Sequence, residues 1–195
     1  MQRARSASIT LTIAMGTVLK MTPDDWERVR RLRLGALTES PDVFSSTLSR
    51  ELAFDEDTWR ARLSGPSPFV TEAGQQQKWL DKPAPNQAAT FIVESAGEDV
   101  GIATALVVDE PNTALVVGVW VSPSARGQGA AAELFTEMFA WARDQNLTRI
   151  ALDVGNANTS AQKLYANLGF SPTGKTGNLP EPRTHILEHE LELLL

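Results

Sequence analysis

The chain has no cysteine among its 195 residues. That excludes disulfides, thiolate nucleophiles and cysteine-based zinc sites, and it fits an intracellular, cytoplasmic protein. Nor is there an apolar run near the roughly 20 residues that a membrane-spanning helix needs, so no membrane partner is expected. Positive charge is in short supply. Lys and Arg total 18 against 24 Asp and Glu, a formal net charge of −6. A general nucleic-acid binder would carry a basic face, so nucleic acid is excluded as a partner, and a cationic acceptor suits the acidity better. The acidic segments Asp55 to Asp57 and Glu188 to Glu192 point the same way. Histidine occurs only at His185 and His189. On a strand the two would share a face but stand well apart, and with no third ligand in view no metal site is expected. Tyr165 is the only tyrosine.

What is present suffices for one domain with a sizeable core. Residues 16–195 are assigned to it. The start "MQRARSASITLTIAM" has early arginines and an apolar patch broken by threonines, without a cleavage site. It reads as a tail or an extra N-terminal segment, and Met15 or Met21 could equally begin the folded part.

"GTVLKMTPDDWERVRRLRLGAL" predicts a short strand and then a helix, capped by Thr22 or Asp24, with Trp26, Val29, Leu32, Leu34 and Leu37 as its apolar stripe. Its arginines read as a solvated face. "FDEDTWRARL" predicts a second short helix, and residues 64–90, rich in proline and glutamine, a long irregular connection. "TFIVES", "VGIATALVVD" and "TALVVGVWV", separated by the turn chemistry of "AGED" and "EPN", predict an antiparallel meander. A helix follows in "AAELFTEMFAWARDQ", then a strand in "TRIALDV". A strand reached through a helix should lie parallel to the last meander strand. "NTSAQKLYANLGF" is a further helix, with Asn158 or Thr159 as cap and Gly169 as left-handed stop, and "HILEHELELLL" a closing strand.

Two glycine-bearing stretches compete as phosphate cradles. In "VSPSARGQGAAAELF", Gly127 and Gly129 sit between a strand and a helix, where backbone N–H groups and the positive helix end face outward. Arg126 adds a charged donor, and Ala130 and Ala131 keep the first helical turn slim. On this loop alone, a connection that binds nothing is as good a reading. "GFSPTGKT", Gly169 to Thr176, fits the phosphate-loop pattern of nucleotide hydrolases letter for letter. Its context is wrong, because it follows a helix and Gly177, Pro180 and Pro182 oppose a helix after it. A nucleotide-binding protein is therefore the weakest reading.

Together, "VWVSPSARGQGAA" and "NTSAQKLYANLGF" resemble the GNAT superfamily of N-acetyltransferases. Arg126, Gly129 and Ala131 fill its Q/R-x-x-G-x-G/A signature. The resemblance implies an α/β fold: a mixed, mostly antiparallel central sheet with a splayed parallel strand pair, 114–121 and 149–154, and flanking helices. It implies acetyl-CoA as cosubstrate, with the backbone of Val119, Trp120 and Val121 on the pantetheine and acetyl carbonyl. Arg126, Gly127, Gln128, Gly129, Ala130 and Ala131 would hold the pyrophosphate. Asn158 would fix the second wall or contact CoA, or serve as a plain helix cap. Tyr165 would be the general acid for the departing thiolate, or else a core tyrosine. Trp120 could line the acyl site or simply fill the core.

The implied reaction is direct attack of a primary amine, of a small molecule or peptide, on the thioester. A base must take the amine's proton, and "TALVVGVWV" carries no glutamate for it. Asp153 is one candidate and Glu94 another, each with an ordinary solvated or salt-bridged carboxylate as the alternative. The competing class is a noncatalytic acyl-CoA-binding or regulatory module on the same fold. A monomer or a homodimer would serve either.

Overall fold

The computed structural model describes residues 16–64, 88–108 and 110–195. The expected N-terminal segment 1–15 and most of the expected connection, 65–87, lie outside the described residues. Seven strands form one sheet: β1 (Thr17–Lys20), β2 (Ala88–Ser95), β3 (Glu98–Val107), β4 (Thr113–Val121), β5 (Arg149–Gly155), β6 (Ser171–Asn178) and β7 (Leu187–Leu194), in the order β1-β2-β3-β4-β5-β7-β6. Ala96 and Gly97, both at positive φ, make the tight turn between β2 and β3, as the hairpin twist requires. Every neighbouring pair is antiparallel except β4 and β5, which a helix joins.

The parallel pair is short. Its rungs are Thr113 with Arg149, Ala114 with Ile150 and Leu115 with Ala151, and pairing stops there. The cause lies in β4. Val117 faces Thr104 and Trp120 faces Ile102, so Gly118 and Val119 oppose the single residue Ala103. Gly118 takes φ 67°, a left-handed conformation that a side chain resists, and this bulge bends β4 away from β5.

Helices α1 (Trp26–Glu39), α2 (Leu48–Leu52) and α3 (Glu56–Ser64) cover one face of the β1–β4 half. Val29, Leu32 and Leu63 pack there against Ile92 and Ile102. Helices α4 (Ala130–Asp144) and α5 (Thr159–Asn167) cover the opposite face, where Leu134, Phe135 and Met138 meet Phe91, Val93, Val116, Ile150 and Leu152. Among the described residues no helix is long and apolar enough to cross a membrane. β1 lies ahead of Met21, so the folded part begins before that methionine.

Four local expectations need correcting. The cap of the first helix is a 3-10 turn, Pro23–Asp25, in which Asp25 accepts hydrogen bonds from the backbone N–H and hydroxyl of Thr22. The arginines of α1 are not all solvated: Arg33 is buried on the apolar face against Glu51, in place of the expected Leu34, and Arg28 pairs with Asp99 and Glu94. α2 was not expected; it is a single turn held by Thr47, whose hydroxyl accepts from the Arg50 N–H at 3.2 Å. Residues 171–178, a glycine-rich loop by sequence, are an edge strand on β7. Thr173, Gly174 and Lys175 bulge opposite Glu190, and an edge tolerates both the bulge and Pro172.

Candidate active site

Where β4 and β5 part, a cleft of about 1670 Å³ opens, walled by β4 from Val116, the 125–132 loop and helix start, and the 153–165 segment. Beyond Leu115, the β4 edge facing β5 has no strand partner, and this edge includes Val119, Trp120 and Val121. Trp120 lines the cleft and also packs on α1, with its indole N–H donating to Glu39 at 3.0 Å.

Below the split, the loop into α4 is braced from within. Gln128 Nε2 donates to the Ser124 carbonyl at 2.7 Å, and Arg126 Nε to the Val121 carbonyl at 3.0 Å. Arg126 Nη2 donates to Glu39 at 2.7 Å, and that bond above all holds the Glu39 carboxyl down to about 2. Arg126 thus ties the loop to the end of α1, and its Nη1 makes no hydrogen bond among the described residues. Gly127 at φ 74° and Gly129 at φ 95° are left-handed, with open space where a Cβ would stand. The backbone N–H groups of Gly127, Gln128, Gly129, Ala130, Ala131 and Ala132 have no partner among the described residues. Free N–H groups at the positive end of a 15-residue helix are an anion site by construction.

The opposite wall is α5. Asn158 caps it, its side-chain oxygen accepting from the Ala161 N–H at 3.2 Å and the Ser160 hydroxyl at 3.1 Å. The plain-cap role is therefore filled, and Asn158 also lines the cleft. Tyr165 is the one fully buried residue of α5, its ring wedged against Phe135 and Phe170. It lines the cleft, and its hydroxyl makes no hydrogen bond to another described residue. Burial pushes its pKa further up, so the hydroxyl keeps its proton at every working pH.

Two carboxylates complete the floor. Asp153 lines the cleft, whereas Glu94 does not line it and is salt-bridged to Arg28 of α1 at 2.8 Å, and is set aside as a base. By sequence Glu188 was only the start of an acidic segment, not a candidate base. It sits on β7 opposite Gly155 of β5 and Gly177 of β6, so neither neighbour in the ladder puts a side chain beside it. It faces the same side as Asp153, two rungs away. Glu188 has no hydrogen bond or ion pair among the described residues, and its pKa rises to about 7 through burial first and Asp153's charge second, Arg183 offsetting part. The alternation of "LEHELELL" put Glu188, Glu190 and Glu192 on one face, but only the strand order, β7 beside β5, brings that face to Asp153.

Of the remaining candidates, His185 lies in the turn before β7 and His189 within it, so the two do not share a strand face. Lys175 of the phosphate-loop pattern pairs with Glu190 at 3.2 Å from within β6. The helix that a nucleotide loop must open is absent, so that reading is withdrawn.

The sequence profile of the acetyltransferase (GNAT) family matches residues 52–170, and the chain belongs to that family. N-acetyltransferase family 8 member 2 of Rattus norvegicus is 40% identical over 88 residues, 43% of this chain and 39% of that protein. The chain thus spans about two fifths of the length of such curated relatives. A GNAT-family acetyltransferase from Streptococcus pneumoniae superimposes with a TM-score of 0.69 over 92% of this chain and 99% of that one, at 15% identity. YncA of Salmonella typhimurium, solved with its cofactor acetyl-CoA, does so with a TM-score of 0.64 over 92% and 94%, at 16% identity. These likenesses establish the fold as GNAT: a mostly antiparallel sheet with one parallel pair.

Proposed function

We propose that the protein is an N-acetyltransferase that moves the acetyl group of acetyl-CoA to a primary amine of a small molecule or peptide. The observation that carries this reading is the run of partnerless N–H groups from Gly127 to Ala132 beneath the split between β4 and β5. Donors in that number suit a pyrophosphate, and the open β4 edge suits an extended, amide-bearing chain that ends at the split. Acetyl-CoA has both parts and supplies the thioester.

The residues of the chain then divide the work. The main chain at Val119 to Val121 and the loop hold the donor in register, so the reaction is one of positioning. The amine attacks in its neutral form, and Glu188 takes the one proton that its nitrogen sheds as the N–C bond forms. A carboxylate near 7 is poised for this at neutral pH, and Asp153 beside it keeps that pKa high. Tyr165 Oη gives a proton to the departing sulfur. The N–C bond forms as the C–S bond breaks, and the proton gained by Glu188 balances the one that Tyr165 gives up. Products are the amide and the CoA thiol.

Thiol release, followed with acetyl-CoA over a panel of primary amines, tests the proposal alongside calorimetric titration with CoA. Micromolar CoA binding and steady turnover with at least one amine are expected. Tight CoA binding without turnover across the panel would replace the enzyme with a binding module.

A further inference from the structure

We propose that the acceptor-side wall of the cleft is a carboxylate site built on Arg33, so that the acceptor is an amino-acid-type molecule carrying both an amine and a carboxylate. This rests on the acetyltransferase reading above and deepens it.

The starting point is a buried guanidinium with a donor left over. α1 sets Arg33 among Val29, Leu32, Ala36 and Leu37, and its side chain is 10% exposed. Nε reaches both oxygens of the fully buried Glu51 at 3.1 Å, Nη2 reaches one of them at 2.9 Å, and the Phe44 ring lies 4.5 Å from the guanidinium carbon. Nη1 is buried with no hydrogen-bond partner among the described residues. Native interiors leave few such groups, and the exceptions ask for an explanation.

Position supplies one. A Cβ on Gly118 would stand 3.5 Å from Nη1, so the spare N–H groups lie against the β4 bulge at which the cleft opens. Charge supplies a second. Arg62, also 10% exposed, sits 3.7 Å from Glu51, and Arg50 lies nearby. Arg33 and Arg62 thus share one buried carboxylate. Burial lowers the Arg62 pKa to about 10, with Glu51 opposing the shift and Arg33 and Arg50 adding to it. Asp42 also lines the cleft but forms no ion pair with this group. An anionic oxygen at Nη1 would fill the missing bond. A carboxylate fits because guanidinium donors match its oxygens and because Glu188, on the same cleft, takes a proton and therefore faces the amine. The overall acidity of the chain pointed to a purely cationic acceptor; the local wall is cationic instead.

The test compares free α-amino acids with their carboxamides as acceptors, using acetyl-CoA and thiol release. A charge-assisted bond predicts a preference in kcat/KM for the carboxylate of about tenfold to hundredfold. Arg33→Lys keeps a cation for Glu51 but cannot reproduce the Nη1 donors, so the preference should collapse while CoA titration stays close to wild type, and a lowered melting temperature reports the lost fork to Glu51 separately. Arg50→Gln, at an exposed position without an ion pair, should lower the preference about two- to fivefold and serves if Arg33→Lys does not fold. Equal use of acids and amides by the wild-type protein overturns the proposal, as does a preference that Arg33→Lys leaves unchanged. Calorimetric titration of N-acetylamino acids against their amides into the CoA-loaded protein needs no turnover. If no amine is acetylated, the enzyme reading falls, and this titration alone decides: selective binding of the acid upholds the carboxylate site and equal binding overturns it.

Discussion

Replacing Glu188 by glutamine should make the protein both more stable and nearly inactive at alkaline pH. The carboxyl is raised from an ordinary 4.5 to about 7 because the fold takes it out of water beside Asp153. A group whose folded pKa exceeds its unfolded one binds its proton more tightly in the folded chain. Its stabilising contribution is full below about 4.5 and is lost as the pH rises through about 7. Ionising it in place costs at most about 3 kcal/mol, and because the cleft admits water about 1–2 kcal/mol is the better figure. Glutamine has the same shape and no charge to desolvate. At pH 8.5 the variant should therefore melt roughly 2–8 °C above wild type, and at pH 5 the two should nearly coincide.

Activity should move the other way. Loss of a proton acceptor costs about 10² to 10⁴-fold in turnover, and the limb near 7 should be missing from the variant's pH profile and so stand alone in the ratio of wild-type to variant rates. Taking that ratio removes the ionisation of the amine, which both proteins share. CoA affinity, measured by calorimetry, should not change. A Glu188→Gln protein that turns over at the wild-type rate would refute the assignment of the base. One that melts below wild type at pH 8.5 would refute the desolvation on which the pKa rests.

Gly129→Asp should weaken CoA binding more than tenfold, since it sets a negative charge at the N-terminus that must receive phosphate, while Lys175→Ala leaves affinity close to wild type; titration of both decides, and the reverse order would move the anion site to β6. Stability of Gly129→Asp should change little, because aspartate is a good helix cap and the strain of φ 95° opposes that gain. Tyr165→Phe should lower kcat about 10²-fold with acetyl-CoA affinity and melting unchanged, as the ring contacts to Phe135 and Phe170 survive; full turnover would leave Tyr165 a core residue.

The meander, the parallel strand and the glycine loop between β4 and α4 were legible because each follows from local chemistry. Alternating Val and Leu set β3 and β4, the Asn158 cap and Gly169 stop bound α5, and a strand reached through a helix must run parallel. The splay itself was legible only by resemblance, since the bulge at Gly118 has no mark in sequence beyond one glycine in an apolar strand. β6 was illegible for a different reason. Its residues are almost all exposed, and the backbone of β7 orders it rather than any pattern of its own. Arg33 and Glu188 were misplaced or missed because charge in a periodic segment reads as the solvent face. At a split sheet a third environment exists, shielded from bulk water yet open to a ligand, and periodicity has no symbol for it.

Buried charge at such a site divides by whether it finds a partner, and Asp99 shows the contrast with Glu188. Both carboxylates lie on strands, and the Asp99 side chain is only 6% exposed. Arg28 and Arg31 donate to it, and those bonds hold its pKa below the usual range, Arg28 contributing most. Its contribution to stability is therefore present above its unfolded pKa near 3.8 and is lost as the pH falls below that. Asp99→Asn takes the carboxylate charge away from two guanidinium groups and should cost about 1–3 kcal/mol at pH 7, with the gap closing as the pH falls below the ordinary 3.8 of the carboxyl. Catalysis and CoA affinity should be untouched, since Asp99 is remote from the cleft. The two amide substitutions thus carry opposite signs in stability at the same pH, from side chains of the same chemistry. Urea titrations of both variants at pH 8 measure this directly. If both destabilised the fold alike, partnering would not separate structural from reactive carboxylates in this chain, and Glu188 would rank with Asp99 as a residue that the fold needs.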